Sequence, residues 1–221
     1  MIIAIDGPAG SGKSTVASEL AQKLNFRYIE TGSMYRAVAW QAMERDIDLR
    51  DKKAVTQTAE NINMKFIPQP GGQRVTVDDA DITSTLKTEA IGRAAAIVAA
   101  NAGVRKVLTA NQREMGAAGN VVMDGRDIGT VVFPNAETKI FLIADPEERA
   151  GRRYREMKPS LPDLTLESVL QQVKQRDYED ENRAISPLKP ADDAIEIDTT
   201  HLNIDEVVDK IMRLIPSAET L

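Results

Sequence analysis

The chain of 221 residues contains no cysteine and one histidine, His201, which lies in a polar segment near the C-terminus. The absence of cysteine excludes disulfides, thiolate metal sites and thiol nucleophiles. A chain with a single histidine cannot form a multi-histidine metal site. The polar surroundings of His201 favour a surface residue over a catalytic base. The chemistry of this chain must therefore depend on other side chains.

Aromatic residues are also scarce, at 4% of the chain, and the net charge is −6. Both features disfavour binding to nucleic acid, which usually requires a basic surface and stacking rings. No apolar run approaches the ~20 residues that span a bilayer, and the N-terminal residues lack the basic region and cleavage site of a signal peptide. We therefore expect a cytoplasmic protein with no membrane or nucleic-acid partner. We also expect a monomer.

The strongest motif that is present is GPAGSGKS at residues 7–14, which fits the pattern G-x-x-x-x-G-K-[ST]. An apolar, strand-length stretch precedes it, and residues 14–24 carry apolar side chains at helical spacing. Glycines let backbone amides point into one concavity, and the helix adds the positive end of its dipole. The motif predicts a phosphate-binding loop in which Lys13 reaches a β- or γ-phosphate and Ser14 holds Mg²⁺. The residues expected to bind the nucleoside triphosphate are Gly7, Pro8, Ala9, Gly10, Ser11, Gly12, Lys13, Ser14 and Thr15.

The rest of the chain alternates strand and helix patterns, which is typical of an α/β fold with a parallel sheet. Further strands are predicted at 25–29, 120–123, 139–143 and 194–198, and helices at 34–45, 51–61, 86–115 with a break near 101–103, and 204–214. A β-rich patch at 64–83, with a turn at 68–72, interrupts the alternation and indicates an insertion.

Several charged residues are expected at the carboxyl edge of this sheet, where ligands bind in open α/β folds. Asp124 follows an apolar strand, as does the acidic residue near Mg²⁺ in many nucleotide-binding proteins. Arg126 and Asp127 should lie at the same edge. Thr31 or Ser33 is expected to cap the next helix, which places Arg36 near that edge too.

A helix from Asp145 carries several arginines with acids around them, so exposed i,i+4 ion pairs are the default interpretation. A segment at 158–163 with two prolines follows, and helix and segment together suggest a closing lid. Its arginines Arg152 and Arg153, which cannot both point the same way, could stabilise charge on a transferring phosphoryl group. Farther on, Arg176, Asp180 and Arg183 share one helix face, although a surface ladder of ion pairs would have the same spacing.

Together these stretches resemble the bacterial cytidylate kinase family of nucleoside monophosphate kinases. The resemblance spans nearly the whole chain in the family's order. Its most specific segment is DGRDIGTVVFP at 124–134, since the phosphate-binding loop alone occurs in many proteins. The other matching segments are IDGPAGSGKST at 5–15, TGSMYR at 31–36, KIFL at 139–142, ERAGRR at 148–153 and the stretch at 176–184.

The resemblance implies transfer of the γ-phosphoryl group from ATP to CMP or dCMP, with Mg²⁺. It implies that Arg36, Arg126 and Arg183 hold the acceptor phosphate, that Arg105 and Asp127 recognise cytosine, and that Arg176 and Asp180 contact the sugar. The implied catalytic residues are Lys13, Arg126, Arg152 and Arg153. The implied CMP-binding residues are Thr31, Arg36, Arg105, Arg126, Asp127, Arg176, Asp180 and Arg183.

The implied fold is a three-layer α/β/α domain around a parallel five-stranded sheet. We expect one domain over 1–221, with its core at about 1–33, 104–147 and 184–221. An acceptor-binding insertion with a small β-sheet would occupy about 34–103, and a helical lid about 148–183.

Two residues depart from the family's pattern. Ala96 stands where the family often has a serine that touches the base, and Glu30 stands where aspartate is more common. The alternative function is therefore a related kinase for another small acceptor, such as UMP, AMP or shikimate. A GTPase lacks support because no Asn-Lys-x-Asp motif is present, and the acidic balance disfavours a nucleic-acid-dependent ATPase.

Overall fold

The structure, a computed structural model, describes residues 1–69, 72–159 and 161–216. The strands are β1 (Ile2–Asp6), β2 (Arg27–Glu30), β3 (Met64–Gln69), β4 (Gly72–Val77), β5 (Ala80–Asp81), β6 (Val121–Gly125), β7 (Thr138–Ile143) and β8 (Ile195–Asp198). They form a five-stranded parallel sheet in the order β2-β6-β1-β7-β8 and a three-stranded antiparallel sheet in the order β3-β4-β5. Pro70 and Gly71, in the predicted turn, and Ser160, in the predicted lid segment, lie outside the described residues.

Helices separate and follow these strands. They are α1 (Lys13–Leu24), α2 (Thr31–Glu44), α3 (Lys52–Asn61), α4 (Glu89–Ala99), α5 (Ala102–Gly116), α6 (Pro146–Met157), α7 (Leu166–Glu181) and α8 (Ile204–Leu214). Within the described ranges, no helix is both long and apolar enough to cross a bilayer.

The parallel sheet is covered on both faces because its strands are apolar on both sides. On β1, Ile3 and Ile5 pack with α1 and α8, whereas Ala4 packs on the opposite face with Met123 and Ile128. This alternation follows from the two-residue period of a strand. The predicted three-layer fold around a parallel five-stranded sheet is confirmed.

The strand register determines where the loops meet. Asp6 is paired with Gly125, and Glu30 with Asp124, so β1, β2 and β6 end at the same level. The loop at 7–12, residues 126–127 and the start of α2 therefore lie side by side at one edge of the sheet. This edge is where the sequence places its charged candidate residues.

Two smaller units flank the edge. The antiparallel sheet packs through Val75 and Val77 against Ala37 of α2 and Ile91 of α4, which confirms a separate small sheet in the region expected to be inserted. Helices α6 and α7 form a hairpin around Ala150 and Val173.

The start of α2 differs from the prediction. The helix begins at Thr31 directly after β2, and neither Thr31 nor Ser33 caps it. The Thr31 hydroxyl instead donates a 2.7 Å hydrogen bond to the carbonyl of Asp124, and the Ser33 hydroxyl donates to the Glu30 carboxylate. The predicted cap was wrong because a partner on β6 holds the threonine.

Other boundaries shift by a few residues. The second strand begins at Arg27, because Asn25 ends α1 in the left-handed conformation with φ of 53°. The helix predicted from Leu86 begins at Glu89, as α4, and a 3₁₀ turn at Thr85–Lys87 precedes it. Directly after Asp127 the chain forms a π-helical turn, Ile128–Val132.

Candidate active site

The loop between β1 and α1 requires glycine at particular positions. Gly7, Gly10 and Gly12 have φ of 146°, 79° and 90°, which side chains rarely adopt. A Cβ on Gly7 would lie 2.1 Å from the carbonyl oxygen of Leu142. Because the N-cap of α1 is Gly12, no side chain caps the first amides of the helix. These amides and the helix dipole are thus suited to an anion.

Lys13 begins α1 and folds back over the loop. Its Nζ donates a 2.7 Å hydrogen bond to the carbonyl of Pro8. Burial, followed by repulsion from Arg126, lowers the pKa of Lys13 to about 7. A phosphate in the loop would favour the charged ammonium, since an opposite charge nearby stabilises it. This position suits the phosphate contact that the motif predicts for Lys13.

Ser14 and Asp124 form a hydroxyl–carboxylate pair at the end of β6. The Ser14 hydroxyl donates a 2.9 Å hydrogen bond to Asp124 Oδ2, and the Tyr28 hydroxyl donates one of 2.9 Å to Oδ1. Burial, followed by the negative charge of Glu30, raises the pKa of Asp124 to about 6. Mg²⁺ prefers such oxygen donors and usually takes one or two carboxylates together with substrate phosphates. Ser14 and Asp124 therefore fit Mg²⁺, and no cluster of three or more Asp, Glu, His or Cys competes for it in the described part of the chain.

Asp6 connects the loop at 7–12 with the segment that follows β6. Its two carboxylate oxygens accept hydrogen bonds of 2.9 Å from the Ile128 amide and 2.7 Å from the Gly129 amide. These amides begin the π-helical turn, so Asp6 fixes the backbone directly after Arg126 and Asp127. Burial raises the pKa of Asp6 to about 7, against the lowering effect of the two amides.

We expect the Asp6→Asn variant to change the pH dependence of stability. Folding raises the pKa of Asp6 from 3.8 to about 7, so over that interval the folded state keeps a proton that the unfolded chain releases. The stability from this group is complete below pH 4 and is lost as pH rises through 7, a change of about 4 kcal/mol. Asparagine does not titrate. Urea denaturation from pH 4 to 8 should therefore show that, as pH rises, the free energy of unfolding of wild type falls relative to that of the variant. Parallel plots of this free energy against pH for the two proteins would contradict the prediction.

Asp180 on α7 lies close to three arginine side chains at the same edge of the sheet. Its carboxylate lies 2.9 Å from Arg126 Nε, 3.3 Å from Arg176 Nε and 3.7 Å from Arg183 Nη1. Burial alone would raise the pKa of Asp180, but Arg126 and then Arg176 hold it below its usual value. Arg176 and Asp180 share a face of α7 that is turned towards the site rather than forming an exposed ladder. The prediction that Arg183 lies on the same helix is wrong, because α7 ends at Glu181 and Arg183 follows it. We call these four residues the Asp180 cluster.

Beside this cluster lies a buried pair, Arg105 and Asp127. The Arg105 guanidinium donates to the Asp127 carboxylate and stacks over the Tyr35 ring, 5.4 Å from its centroid. Arg105 Nε, although buried, has no hydrogen-bond partner among the described residues. Such an orphaned donor is costly unless a ligand satisfies it. A planar group with acceptor atoms would suit this position.

A cleft of about 1230 Å³ opens onto the Asp180 cluster. Its walls are α3, the junction of α4 and α5, and the end of α7 with the residues after it. Ala96 lines it, so the wall is apolar where a serine would have provided a hydroxyl. The cleft is large enough for a nucleoside monophosphate.

Arg153 lies within electrostatic range of Arg36 and of two arginines of the Asp180 cluster. Burial, opposed by Glu156, lowers the pKa of Arg153, and the positive charges of Arg36, Arg176 and Arg126 lower it further. Like charges that repel one another in this way, around one position, create a site for a polyanion.

Arg152 is not brought together with these residues. Its Nη2 donates a 2.6 Å hydrogen bond to the carbonyl of Thr199, and its Nε contacts Glu148. The Thr199 hydroxyl in turn donates to the carbonyl of Ser11 in the loop. Arg152 and Arg153 diverge, as their adjacency predicts, and Arg152 lies on the side of the phosphate-binding loop.

The sequence did not indicate a buried or functional role for Arg149, because the acids around it are typical of exposed ion pairs. It is buried and makes two hydrogen bonds to Asp177 on α7, of 2.9 and 2.7 Å, and one of 3.2 Å to the carbonyl of Ala9. The backbone of Arg149 also lies 3.1 Å from a Cβ built on Gly10. Arg149 thus joins α6, α7 and the loop, and its one signal in the sequence was its place in the segment ERAGRR, which matches the family.

A phosphate-binding loop with a hydroxyl–carboxylate pair faces a pocket of arginines and aspartates across one sheet edge. This arrangement and the three-layer fold define the class of the protein as a P-loop kinase. Over 98% of its length the chain also superimposes on 99% of an uncharacterised protein from Eubacterium ventriosum, with a TM-score of 0.52 and 13% identity, a likeness of fold alone.

Sequence comparison narrows the class. Residues 3–217 match the family model described as cytidylate kinase. The chain is 49% identical over 215 residues to a cytidylate kinase of Carboxydothermus hydrogenoformans, covering 97% of both chains. It is 46% identical over 216 residues to a cytidylate kinase of Bacillus licheniformis, covering 97% of this chain and 96% of the other. The chain belongs to the cytidylate kinase family and is a nucleoside monophosphate kinase.

Proposed function

We propose that this site transfers the γ-phosphoryl group of ATP to CMP or dCMP, with ADP and CDP or dCDP as products. The observation that carries the proposal is the position of the Asp180 cluster and of the Arg105–Asp127 pair, both at the sheet edge that bears the phosphate-binding loop. The loop supplies a site for the donor, and the cluster and pair supply a site for an acceptor with a phosphate, a sugar and a base.

On the donor side, the backbone of the loop holds the phosphates of ATP, and Lys13 neutralises charge on the group in transfer. Ser14, with Asp124 beside it, would hold Mg²⁺, which when bound offsets negative charge on the phosphates. Arg152 belongs to this side through its contact with Thr199. The ATP-binding residues are those of the predicted set, Gly7, Pro8, Ala9, Gly10, Ser11, Gly12, Lys13, Ser14 and Thr15.

On the acceptor side, Arg36, Arg126 and Arg183 bind the phosphate, while Arg176 and Asp180 meet the sugar hydroxyls. Arg126 uses Nε for Asp180 and Nη1 for the carbonyl of Gly125, which leaves Nη2 for a ligand. Thr31 borders this side and holds the backbone of Asp124. Arg153, whose pKa is lowered by burial and by the surrounding arginines, would stabilise charge between the two substrates.

In the transfer itself, an oxygen of the CMP phosphate attacks the γ-phosphorus of ATP. The bond from that phosphorus to the bridging oxygen breaks, and the electron pair leaves with ADP. The attacking oxygen is already ionised near neutral pH, so no strong general base is needed. Positioning and charge neutralisation are then sufficient. This agrees with a chain whose one histidine, His201, is exposed.

The Arg105–Asp127 pair favours cytosine over uracil. Cytosine offers an amino donor at position 4 beside acceptors at N3 and O2, which complement a carboxylate and a guanidinium. Uracil would place a carbonyl against the Asp127 carboxylate and leave buried polar groups unpaired. Such a mismatch costs about 1–3 kcal/mol, or roughly 10- to 100-fold in kcat/KM.

The decisive experiment measures ADP formation from Mg²⁺ and ATP with CMP, dCMP, UMP, AMP or no acceptor. We expect CMP and dCMP to give the highest kcat/KM, with UMP lower by about 10-fold or more. Equal rates with and without a nucleotide would refute phosphoryl transfer to a nucleotide. A preference for AMP would refute the assignment to cytidine nucleotides.

The remaining features of the proposal concern the whole molecule. Residues at about 34–103 would bind the acceptor, and those at about 148–183 would close as a lid and exclude water, which suppresses ATP hydrolysis. We propose that the protein works in the cytoplasm as a monomer. Light scattering at assay concentration tests the monomer directly.

A further inference from the structure

Both side-chain oxygens of Asp124 are held by hydroxyl groups from different elements. Oδ2 accepts from Ser14 on α1, and Oδ1 accepts from Tyr28 on β2, each at 2.9 Å. The main-chain carbonyl of Asp124 is held as well, by the Thr31 hydroxyl at 2.7 Å. The main chain of Asp124 and both oxygens of its carboxylate are therefore held in place, and Ser14 faces only one of those two oxygens.

The two hydroxyls that hold the carboxylate differ in what fixes them. Ser14 belongs to the phosphate-binding loop and would contact a ligand there. Tyr28 is anchored from behind, because its ring packs against the apolar cluster formed by β1, α1 and α8. On β2, Tyr28 pairs with Val122 of the neighbouring strand β6, which lies two positions before Asp124. The tyrosine side chain is long enough to span these two positions. A phenol ring has few rotatable bonds, so its hydroxyl is delivered to Oδ1 at little entropic cost.

From this geometry we propose that Tyr28 is a positioning residue for Mg²⁺·ATP. Its hydroxyl occupies Oδ1 and turns Oδ2 of Asp124 towards Ser14, so that the hydroxyl–carboxylate pair is set before the nucleotide binds. The inference rests on the proposed function for the identity of the nucleotide. Outer partners that orient a metal-binding carboxylate commonly change metal affinity by about 10- to 100-fold when they are removed.

The test compares wild type with Tyr28→Phe, which removes one hydroxyl and keeps the ring. Equilibrium titration with ATP, by calorimetry or a fluorescent analogue, is done once with excess Mg²⁺ and once with EDTA. With Mg²⁺ we expect the dissociation constant to rise about 10-fold in the variant. With EDTA it should stay within about twofold, because the loop and Lys13 are unchanged, and this measurement also shows that the variant is folded. The half-saturating Mg²⁺ concentration for turnover should rise in parallel, with KM for CMP unchanged.

The control is Lys23→Met on α1, whose exposed side chain pairs with Asp209 away from the site. It should leave ATP binding unaltered in both conditions. If ATP binding by Tyr28→Phe were weakened equally with Mg²⁺ and with EDTA, the proposal would be overturned and a general structural role indicated. No weakening of ATP binding in either condition would also overturn it. Because these are binding measurements, they remain decisive even if CMP is not the acceptor.

Discussion

Replacing Lys13 with methionine is expected to lower kcat by about 10³-fold, the largest effect of any single change on the donor side. Methionine keeps an unbranched side chain that matches lysine up to Cε and lacks the terminal ammonium. In wild type that ammonium is buried in the loop and held by the carbonyl of Pro8 at 2.7 Å. In our proposal it meets the charge that grows on the phosphates during transfer, a contact that water cannot replace once the lid closes.

The melting temperature of the Lys13→Met variant should not fall together with kcat, and this separates a catalytic role of Lys13 from a structural one. Burial lowers the pKa of Lys13 to about 7, so below that pH the folded protein carries a buried, poorly solvated charge. Removing it should keep or raise the melting temperature at pH 6. Lys23→Met on the same helix, where the side chain is exposed and paired with Asp209, is the control and should change neither quantity. A lower melting temperature with unchanged kcat would contradict the assignment of Lys13.

The edge of the sheet was predictable because its signals are local. A glycine-rich motif between a strand pattern and a helix pattern located the donor loop, and an apolar strand that ends in Asp124 located the carboxylate. Parallel strands bring their carboxyl ends to one edge whatever their separation along the chain. Residues 126–127 could therefore be placed near the loop from the sequence alone.

Contacts that support the site from behind were not predictable. Tyr28 reaches Asp124 across 96 positions, and Asp6 reaches Gly129 across 123. Neither residue has a distinctive spacing relative to its partner, because register between strands decides the contact. Thr31 illustrates the same limit: a threonine at a helix start is usually a cap, and only the nearby Asp124 carbonyl gave its hydroxyl another partner.

Arg126→Ala is expected to reduce kcat/KM for CMP by about 10³-fold while the dissociation constant for ATP stays within about twofold. Arg126 binds Asp180 through Nε and the carbonyl of Gly125 through Nη1, and its remaining nitrogen is directed to the acceptor in our proposal. The variant also leaves Asp180 with one partner fewer, so part of the loss should appear in KM for CMP and part in kcat. Equilibrium ATP binding and initial-rate kinetics with varied CMP separate these contributions.

Two companions make the result specific to the guanidinium. Arg126→Lys keeps a positive charge but not the planar fork that binds a phosphate and Asp180 together, so its loss should be intermediate. Arg93→Ala removes an arginine whose side chain is 74% exposed and paired with Glu89 on α4, and it should behave as wild type. If Arg126→Ala retained full turnover, the acceptor phosphate would have to lie elsewhere. If ATP binding fell as far as kcat/KM, Arg126 would belong to the donor site, and the division of this sheet edge into two substrate sites would be wrong.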